Sequence, residues 1–475
     1  MERLVSRFGG RQIRLYLTLA LMVLGAALAG IRPFGGLDST GHIMLGALIS
    51  ALAAWVFQPA GGTLTIGAVI IILGGLLAGI PINDMTAGFT SPSLWLFIPA
   101  MLIGASMMRT GLGKRMVLAL FKRMELTYAR ILVGWFAAGV LFALITPAIS
   151  VRFVMLTPIA VSVADACLLE KGGRGRSLIV ISCWAFCIFP SIAWQNGSLF
   201  GPAFTSFLPE GPMRDMATAE MWFIVMAPWL LFSVIFVVAL YFLLKPETKL
   251  AITKTQIKGM YDELGPIGKK ELGCLVTLVF MLVCLVLQTF LPLTANQALL
   301  ASLVLLLILG VISGKDISTG INWDVIVFFG VLLGFSNIFS VSGLTAWFTP
   351  FLSDLIQAIA ISPLVFVLAL FAICVLCRFF DAAQGWITAS IFSLATPMLY
   401  SDHGIHPLVP TMVFVSASNV FFFRYAQPWV VQAESVCGDG GWNPRHLREA
   451  SILYVCLAAV LLVLSRFYWG AVGVM

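Results

Sequence analysis

Apolar runs close to the length of a membrane-spanning helix recur along the whole chain. A helix needs about 20 apolar residues to cross the hydrocarbon core of a bilayer. The apolar segments fall at residues 14–31, 42–57, 62–80, 93–110, 129–146, 151–168, 177–208, 221–244, 272–292, 295–313, 323–343, 362–380, 384–400, 408–432 and 447–470. Of the 475 residues, 60% are apolar and 10% are charged, whereas a soluble domain has about 25% charged residues. The sequence therefore predicts an all-α polytopic membrane protein and excludes a soluble enzyme, a disordered protein and a nucleic-acid-binding protein.

The nine cysteines and four histidines do not form a recognisable site. The cysteines lie mostly inside apolar segments without a pairing framework, and the CxxC pair Cys374 and Cys377 lies in a hydrophobic helix without other ligands nearby. Neither HExxH nor GxSxG occurs. We therefore expect no catalytic residue, no structural metal and no organic cofactor.

The segment pair within 129–168 is predicted to dip into the membrane and return. Its turn contains Thr146 and Pro147 and is followed by Ser150 and Arg152, so it is a poor place for a helix to emerge into water. Two full membrane crossings would also place the basic loops 111–130 and 169–176 on the same side of the membrane. Loop charge therefore does not distinguish the two courses, and the prediction of a hairpin depends on this break. Irregular backbone is tolerated at membrane depth where it lines a cavity. We therefore expect a re-entrant hairpin that opens to the cytoplasm.

Segment 362–400 shows the same pattern. It breaks around Arg378, Asp381 and Gln384, and the following loop, 401–407, contains neither lysine nor arginine. Basic residues are enriched in cytoplasmic loops of membrane proteins. The second hairpin is therefore predicted to open to the outside.

The distribution of basic residues supports about eleven transmembrane helices plus these two hairpins. With that topology, 21 of the 28 lysines and arginines lie on the cytoplasmic side. The cytoplasmic stretches are 1–14, 111–130, 169–176, 245–271, 314–321 and 433–448. The sequence thus predicts a cytoplasmic N-terminus and a location in a bacterial inner membrane.

Two halves of the chain are related by a constant spacing. Residues 93–112 resemble residues 325–344, which lie 232 positions later, and Gln195 and Gln427 are separated by the same 232 positions. Each matching segment is followed by an amphipathic stretch, at 113–124 and 345–359, and then by a hairpin. Because the hairpins open to opposite sides, this pattern predicts an inverted repeat of the kind found in secondary transporters.

Segments 177–208 and 408–432 carry polar residues and prolines in their interiors, which predicts two broken helices. Breaks leave unpaired N–H and C=O groups, and a helix N-terminus carries partial positive charge. Two hairpin tips meeting two broken helices would form an anion and ion site at mid-membrane. The predicted substrate-binding residues are Ser150, Arg152, Gln195, Asn196, Gln384, Asn419, Arg424 and Gln427, and the predicted coupling-ion ligands are Ser150, Ser198 and Asp381.

Charged side chains inside the apolar segments are costly and must face protein or a water-filled cavity. The arginines away from loops and helix ends are Arg152, Arg378 and Arg424, and the clearest deep acid is Asp381. An arginine grips an oxyanion with its planar fork. We expect Arg152 and Arg424 to bind substrate. Arg378 either does the same or forms a structural ion pair with Asp381, whose alternative partner is Arg152.

From about Gly41 to Val455 the chain resembles the divalent anion:sodium symporter family. The resemblance is carried by GFTSPSLWLFIPAMLIGASMMRTGL at 88–112, DELGPIGKKE at 262–271 and INWDVIVFFGVLLGFSNIFSVSGL at 321–344. It implies an elevator mechanism and a homodimer. It also implies a scaffold domain formed by residues 1–124 and 251–360 and a transport domain formed by residues 125–250 and 361–475.

The chain departs from this family at the hairpin tips. Family members carry Ser-Asn-Thr there, which binds sodium and substrate, but this chain has Ala-Ile-Ser at 148–150 and Asp-Ala-Ala at 381–383. The positively charged guanidinium of Arg152, two residues beyond the first tip, would repel a sodium ion. We therefore hypothesise that Arg152 replaces at least one sodium ion in neutralising the substrate.

These observations favour a cation-coupled secondary transporter for a small anion, either a carboxylate, a sulfonate or an inorganic oxyanion. Its partners would be that anion, the lipid bilayer and a second copy of the chain, with Na⁺ as the candidate coupling ion. The alternatives are a sodium-independent anion exchanger, a proton-coupled carrier and, more distantly, a channel or an intramembrane enzyme.

Overall fold

The computed structural model describes residues 10–57, 64–122, 127–145, 148–246, 250, 254–287, 293–379, 384–422, 427–437 and 441–475. All regular structure in these ranges is helical, so the predicted all-α class is confirmed.

The helices of the first half form two groups. The first group, up to the predicted hairpin, consists of α1 (Gly10–Ile31), α2 (Ser39–Phe57), α3 (Thr65–Leu77), α4 (Ile82–Met85), α5 (Pro92–Thr110) and α6 (Leu112–Phe121). The second group consists of α7 (Tyr128–Ile145), α8 (Ile149–Ala166), α9 (Arg174–Ile188), α10 (Phe200–Phe207), α11 (Pro212–Asp215), α12 (Ala219–Met226) and α13 (Pro228–Leu244). Two 3₁₀ turns, Pro190–Ala193 and Gln195–Gly197, separate α9 from α10.

The second half has a similar order. Its first group consists of α14 (Lys254–Asp262), α15 (Lys269–Leu287), α16 (Ala295–Ile308), α17 (Gly314–Gly320), α18 (Trp323–Leu332), α19 (Phe335–Val341) and α20 (Leu344–Ile359). Its second group consists of α21 (Pro363–Cys377), α22 (Trp386–Ser393), α23 (Thr396–His403), α24 (Leu408–Ser418), α25 (Pro428–Cys437) and α26 (Pro444–Ala471).

Seven stretches of the described residues are long and apolar enough to cross a membrane, and the bent pair α18–α19 makes an eighth if it is one span. Five shorter apolar helices accompany them: Thr65–Leu77, Phe97–Thr110, Asn296–Ile308, Pro363–Cys377 and Leu408–Ser418. A polytopic membrane protein is therefore confirmed, while the count of eleven crossings stays a prediction.

The re-entrant course of the two predicted hairpins stays a prediction, because their tips at 146–147 and 380–383 lie outside the described residues. Helices flank the tip in both hairpins. The first consists of α7 and α8, each 18 residues long, or about 27 Å at 1.5 Å per residue. In the second, α21 leads to a turn in which Gln384 and Gly385 have φ of +56° and +77°. A Cβ on Gly385 would lie 3.2 Å from both Arg378 Cδ and Ser418 Oγ. Glycine adopts this positive φ without strain and leaves the turn room to approach α24 closely.

The hairpins pack against the broken helices. The second arm of the first hairpin, α8, packs on α9 and also on α25. In the other half, α22 packs on α24 and also on α10. Each hairpin therefore contacts the broken helix of its own half and the distal part of the broken helix of the opposite half.

The amphipathic stretches that follow the two repeated segments begin in the same way. Gly111 and Gly343 have φ of +79° and +74° and directly precede α6 and α20. The helix α6 is held against residues 262–271, which we call the linker between the repeats. Arg115 of α6 donates to both Glu271 carboxylate oxygens (2.5 and 3.1 Å) and to the Gly265 carbonyl (2.9 Å). The hydrogen bond from Arg115 also lowers the pKa of Tyr261 on α14. The hydrogen bonds of Arg115 therefore hold α6 in place against this linker.

Candidate functional site: where the hairpins meet the broken helices

Three helix N-termini meet at the centre of this arrangement. The ring of Phe200, the first residue of α10, stacks on that of Trp386, the first residue of α22, with centroids 5.5 Å apart and an interplanar angle of 12°. The Phe200 ring also contacts Trp429, the second residue of α25, at 5.4 Å. Because helix N-termini carry partial positive charge, their convergence favours an anion nearby.

The helix α8 adds a fourth N-terminus. It packs along α25, and Cys437 at the end of α25 contacts Thr157 in the middle of α8. The chain beyond α25 reaches the start of α9, where the Asn443 N–H donates to Ser177 Oγ (3.0 Å). Since α8 ends only a few residues before α9 begins, α25 and α8 run in the same direction. Their N-termini therefore lie at the same end.

Arg152 lies in the first turns of α8 and is fully buried. Its Nη2 donates to Ser191 Oγ (3.2 Å) in the break between α9 and α10, and that hydroxyl donates to the Ile188 carbonyl (2.5 Å). Within the part of the chain that the structure describes, Arg152 Nε and Nη1 have no hydrogen-bond partner. A buried guanidinium left in this state is costly, and an anion would compensate it.

The second hairpin tip is joined to the second broken helix by a chain of side-chain hydrogen bonds. Gln384 Nε2 donates to Gln427 Oε1, and Trp386 Nε1 donates to Gln384 Oε1 at 3.2 Å. Gln427 Nε2 in turn donates to the Ser418 carbonyl at the end of α24 (3.4 Å). All four residues are buried. The structure therefore brings the predicted site residues Gln384 and Gln427 together.

Three oxygen atoms at the breaks are buried without a hydrogen-bond partner among the described residues: Ser198 Oγ, Ser418 Oγ and Asn419 Oδ1. The amide nitrogen of Asn419 donates to the Val415 carbonyl (2.9 Å), so its oxygen is the free end. Such oxygens can accept from a substrate hydroxyl or ligate a hard cation. The described residues contain no group of three His, Cys, Asp or Glu side chains placed to hold a metal ion.

The other predicted site residues differ in position. Gln195 donates to Thr205 Oγ1 (3.2 Å) and to the Ala217 carbonyl (2.9 Å), so both of its side-chain hydrogen bonds among the described residues stay within its own half. Asn196 and Ser150 are half-buried beside the first break and the first tip. Arg378 is buried beside Gly385. The predictions for Asp381 and Arg424, including the Arg378–Asp381 ion pair, lie outside the described residues.

Some residues of this region were not singled out from the sequence. Ser191, the contact of Arg152, follows the helix-breaking Pro190, and a hydroxyl next to such a break is a usable signal. Trp386, Phe200 and Trp429 join three helix starts, but their sequence positions resemble those of many lipid-facing or packing aromatic residues.

Residues 12–475 match the family described as the sodium:sulfate symporter transmembrane region. Among curated relatives, the L-tartrate/succinate antiporter of Shigella dysenteriae is 23% identical over 405 residues, covering 81% of this chain and 79% of that protein. The spinach chloroplastic dicarboxylate transporter 1 is 24% identical over 348 residues, covering 70% of this chain and 59% of that protein.

Among solved structures, the YdaH transporter of Alcanivorax borkumensis matches with a TM-score of 0.50. The match covers 98% of both chains at 14% sequence identity. At this identity the likeness concerns the fold alone, and it agrees with the predicted all-α polytopic fold.

Proposed function

Because the chain belongs to the sodium:sulfate symporter family, we propose that it is a secondary active transporter whose substrate is a small carboxylate anion. The observation that supports this proposal most is the buried guanidinium of Arg152, with Nε and Nη1 unpartnered among the described residues. The converging starts of α10, α22 and α25 add a favourable field for the anion. The names of the tartrate/succinate and dicarboxylate relatives make succinate and tartrate the first substrates to test, with malate as a further small dicarboxylate.

The transport cycle is proposed to be an elevator movement. In this proposal, residues 125–250 and 361–475 carry the substrate, while residues 1–124 and 251–360 form a scaffold that dimerises. The cross-packing of α8 on α25 and of α22 on α10 supports movement of both hairpins as one body. The linkage of Arg115 to Glu271 supports α6 as a fixed arm beside that body.

The coupling mode is proposed to be sodium-independent in the half that contains Arg152. A sodium ion beside this guanidinium would meet a like charge in a poorly solvated site. The positive charge that sodium would supply to the substrate is already present in Arg152. Exchange of one anion for another then becomes the simplest cycle. Ser198 Oγ and Asn419 Oδ1, which have no hydrogen-bond partner among the described residues, could still ligate a cation in the remaining site.

Flux measurements in proteoliposomes test the function and the coupling together. We expect radiolabelled succinate or malate to enter vesicles preloaded with unlabelled substrate, with at most a weak response to a sodium gradient. The same vesicles without internal substrate are the control. A steep sodium dependence with more than one sodium ion per substrate would refute the role given to Arg152, and conductance at channel rates would refute a carrier.

The proposed topology places residues 245–271 in the cytoplasm and residues 401–407 outside. Lys258→Cys and His403→Cys, each made in a chain whose exposed Cys456 is replaced by serine, provide matched exposed thiols. An impermeant maleimide added to intact cells should label the cysteine at 403 and leave the one at 258 unlabelled until the membrane is opened. The reverse labelling pattern would show that the topology is inverted and that the N-terminus lies outside.

A further inference from the structure

A large apolar groove lies outside the candidate site, between the first hairpin arm α7 and the helix α13. Its volume is about 770 Å³, within the range of about 300–1,000 Å³ usual for ligand pockets. The walls are formed by α7 and α13, and Phe186 of α9 forms part of the lining. The lining residues are almost all aliphatic or aromatic, with Thr127, Tyr128 and Tyr241 as the polar members.

The groove opens toward the surrounding bilayer. Both wall helices belong to stretches long and apolar enough to span a membrane. Val133, Val238 and Phe242 line the groove and are 61%, 48% and 64% exposed. Because these exposed side chains lie on apolar helices within the predicted membrane region, a hydrocarbon chain suits the groove.

One end of the groove is basic. The ring centroids of Tyr128, at the start of α7, and Tyr241, near the end of α13, are 6.3 Å apart at this end. The exposed Arg130 lies in the first turn of α7, and the exposed Lys245 directly follows α13, with its N–H donating to the Tyr241 carbonyl (3.0 Å). The exposed Arg174 is also near, because a Cβ on the next residue, Gly175, would lie 2.2 Å from the Tyr128 hydroxyl oxygen.

We infer that this groove binds an anionic phospholipid, with an acyl chain between α7 and α13 and the phosphate at Arg130 and Lys245. Tyrosines at an apolar–polar boundary and clustered basic side chains beside membrane helices suit such a headgroup. In the proposed topology this end faces the cytoplasm, where anionic lipids and basic residues meet. The bound lipid joins the first hairpin to α13 and so stabilises the carrier body.

The acyl-chain part of the inference is tested by filling the groove. Val133→Trp and Val238→Trp each place an indole in it, from opposite walls. Val279→Trp on α15, at a comparable exposure of 53%, is the matched lipid-facing control. Native mass spectrometry of the full chain in mild detergent should show phospholipid retained by the parent and by the control but lost from both groove variants. Equal retention by the control and the groove variants would overturn the inference.

The headgroup part is tested by charge removal. Vesicle lipids with identical acyl chains, phosphatidylglycerol and phosphatidylcholine, are added to the delipidated protein. The parent should retain phosphatidylglycerol in preference, and Arg130→Gln combined with Lys245→Gln should reduce that preference by roughly thirtyfold, since each of the two basic residues near the membrane surface contributes about 1 kcal/mol. The control pair Lys258→Gln and Lys269→Gln should not. Equal binding of both lipids by the parent, or an unchanged preference in the Arg130/Lys245 variant, would overturn the inference.

The acyl-chain test remains decisive if one groove variant fails to fold, and the headgroup test remains decisive through the lipid preference of the parent. Size-exclusion chromatography identifies such a variant, and the second groove variant, on the other helix, then replaces it. Neither groove position belongs to the candidate substrate site, so succinate binding to the folded variants should be retained. Failure of the lipid inference is therefore distinguishable from failure of the proposed transport function.

Discussion

Arg152→Lys should weaken substrate affinity by about 1.5–3 kcal/mol, or roughly tenfold to a hundredfold. Lysine keeps the positive charge but loses the planar fork that can hold two oxygens of one carboxylate. It also loses the geometry in which Arg152 Nη2 contacts Ser191 while Nε and Nη1 have no hydrogen-bond partner among the described residues. Arg152→Ala should abolish measurable uptake, because the buried site then has no cation from this hairpin.

The measurement is substrate affinity from competition uptake, together with the rise in unfolding temperature that saturating succinate produces. Arg176→Lys is a matched control, since Arg176 is also buried but already donates to Asp165 (2.6 Å) and to the Leu169 carbonyl (3.0 Å). We expect the Arg176→Lys variant to bind substrate with the same affinity as the parent. Unchanged affinity in Arg152→Lys would make Arg152 a structural residue.

The helices could be predicted from the sequence where apolar periodicity alone decides the structure. The amphipathic stretch predicted at 345–359 is the helix Leu344–Ile359, and the one predicted at 113–124 is Leu112–Phe121. In both places a glycine with positive φ marks the start, and glycine is the residue that adopts this conformation without strain. Such signals are local, so a single sequence contains them.

The contacts of the candidate site could be predicted only in part. Gln195 and Gln427 share the repeat spacing, yet their partners differ. Gln427 reaches the second hairpin tip, whereas the amide of Gln195 is taken by Thr205 and the Ala217 carbonyl. Which donor finds which acceptor depends on the path of the chain after each break, and periodicity carries no information about that path.

The aromatic contacts between helix starts show the same limit. Phe200, Trp386 and Trp429 lie in three segments far apart in sequence, and their packing brings the N-termini of those segments together. From the sequence each is an ordinary aromatic residue at an apolar position. The burial of Arg152 inside the protein, by contrast, follows from the rule that a charge deep in a membrane segment must face protein or a water-filled cavity.

Gln427→Leu should destabilise the protein by about 2–4 kcal/mol and reduce transport more than tenfold. The substitution leaves Gln384 Nε2 without its acceptor and the Ser418 carbonyl without its donor. Each buried polar group left unpaired costs about 1–3 kcal/mol. Since Gln384 has φ of +56° and lies next to the second hairpin tip, loss of its partner should also loosen the second hairpin.

A double-mutant cycle of Gln384→Ala and Gln427→Ala, followed by thermal unfolding and by uptake, measures this link directly. Residues in contact couple by about 0.5–3 kcal/mol, whereas independent sites give additive effects. We expect coupling for this pair and additivity for Gln384→Ala with Gln195→Ala, because Gln195 makes no hydrogen bond to Gln384. Additive effects in both cycles would mean that the second hairpin tip is held by its packing, with Trp386 stacked on Phe200, and that the amide pair is incidental to transport.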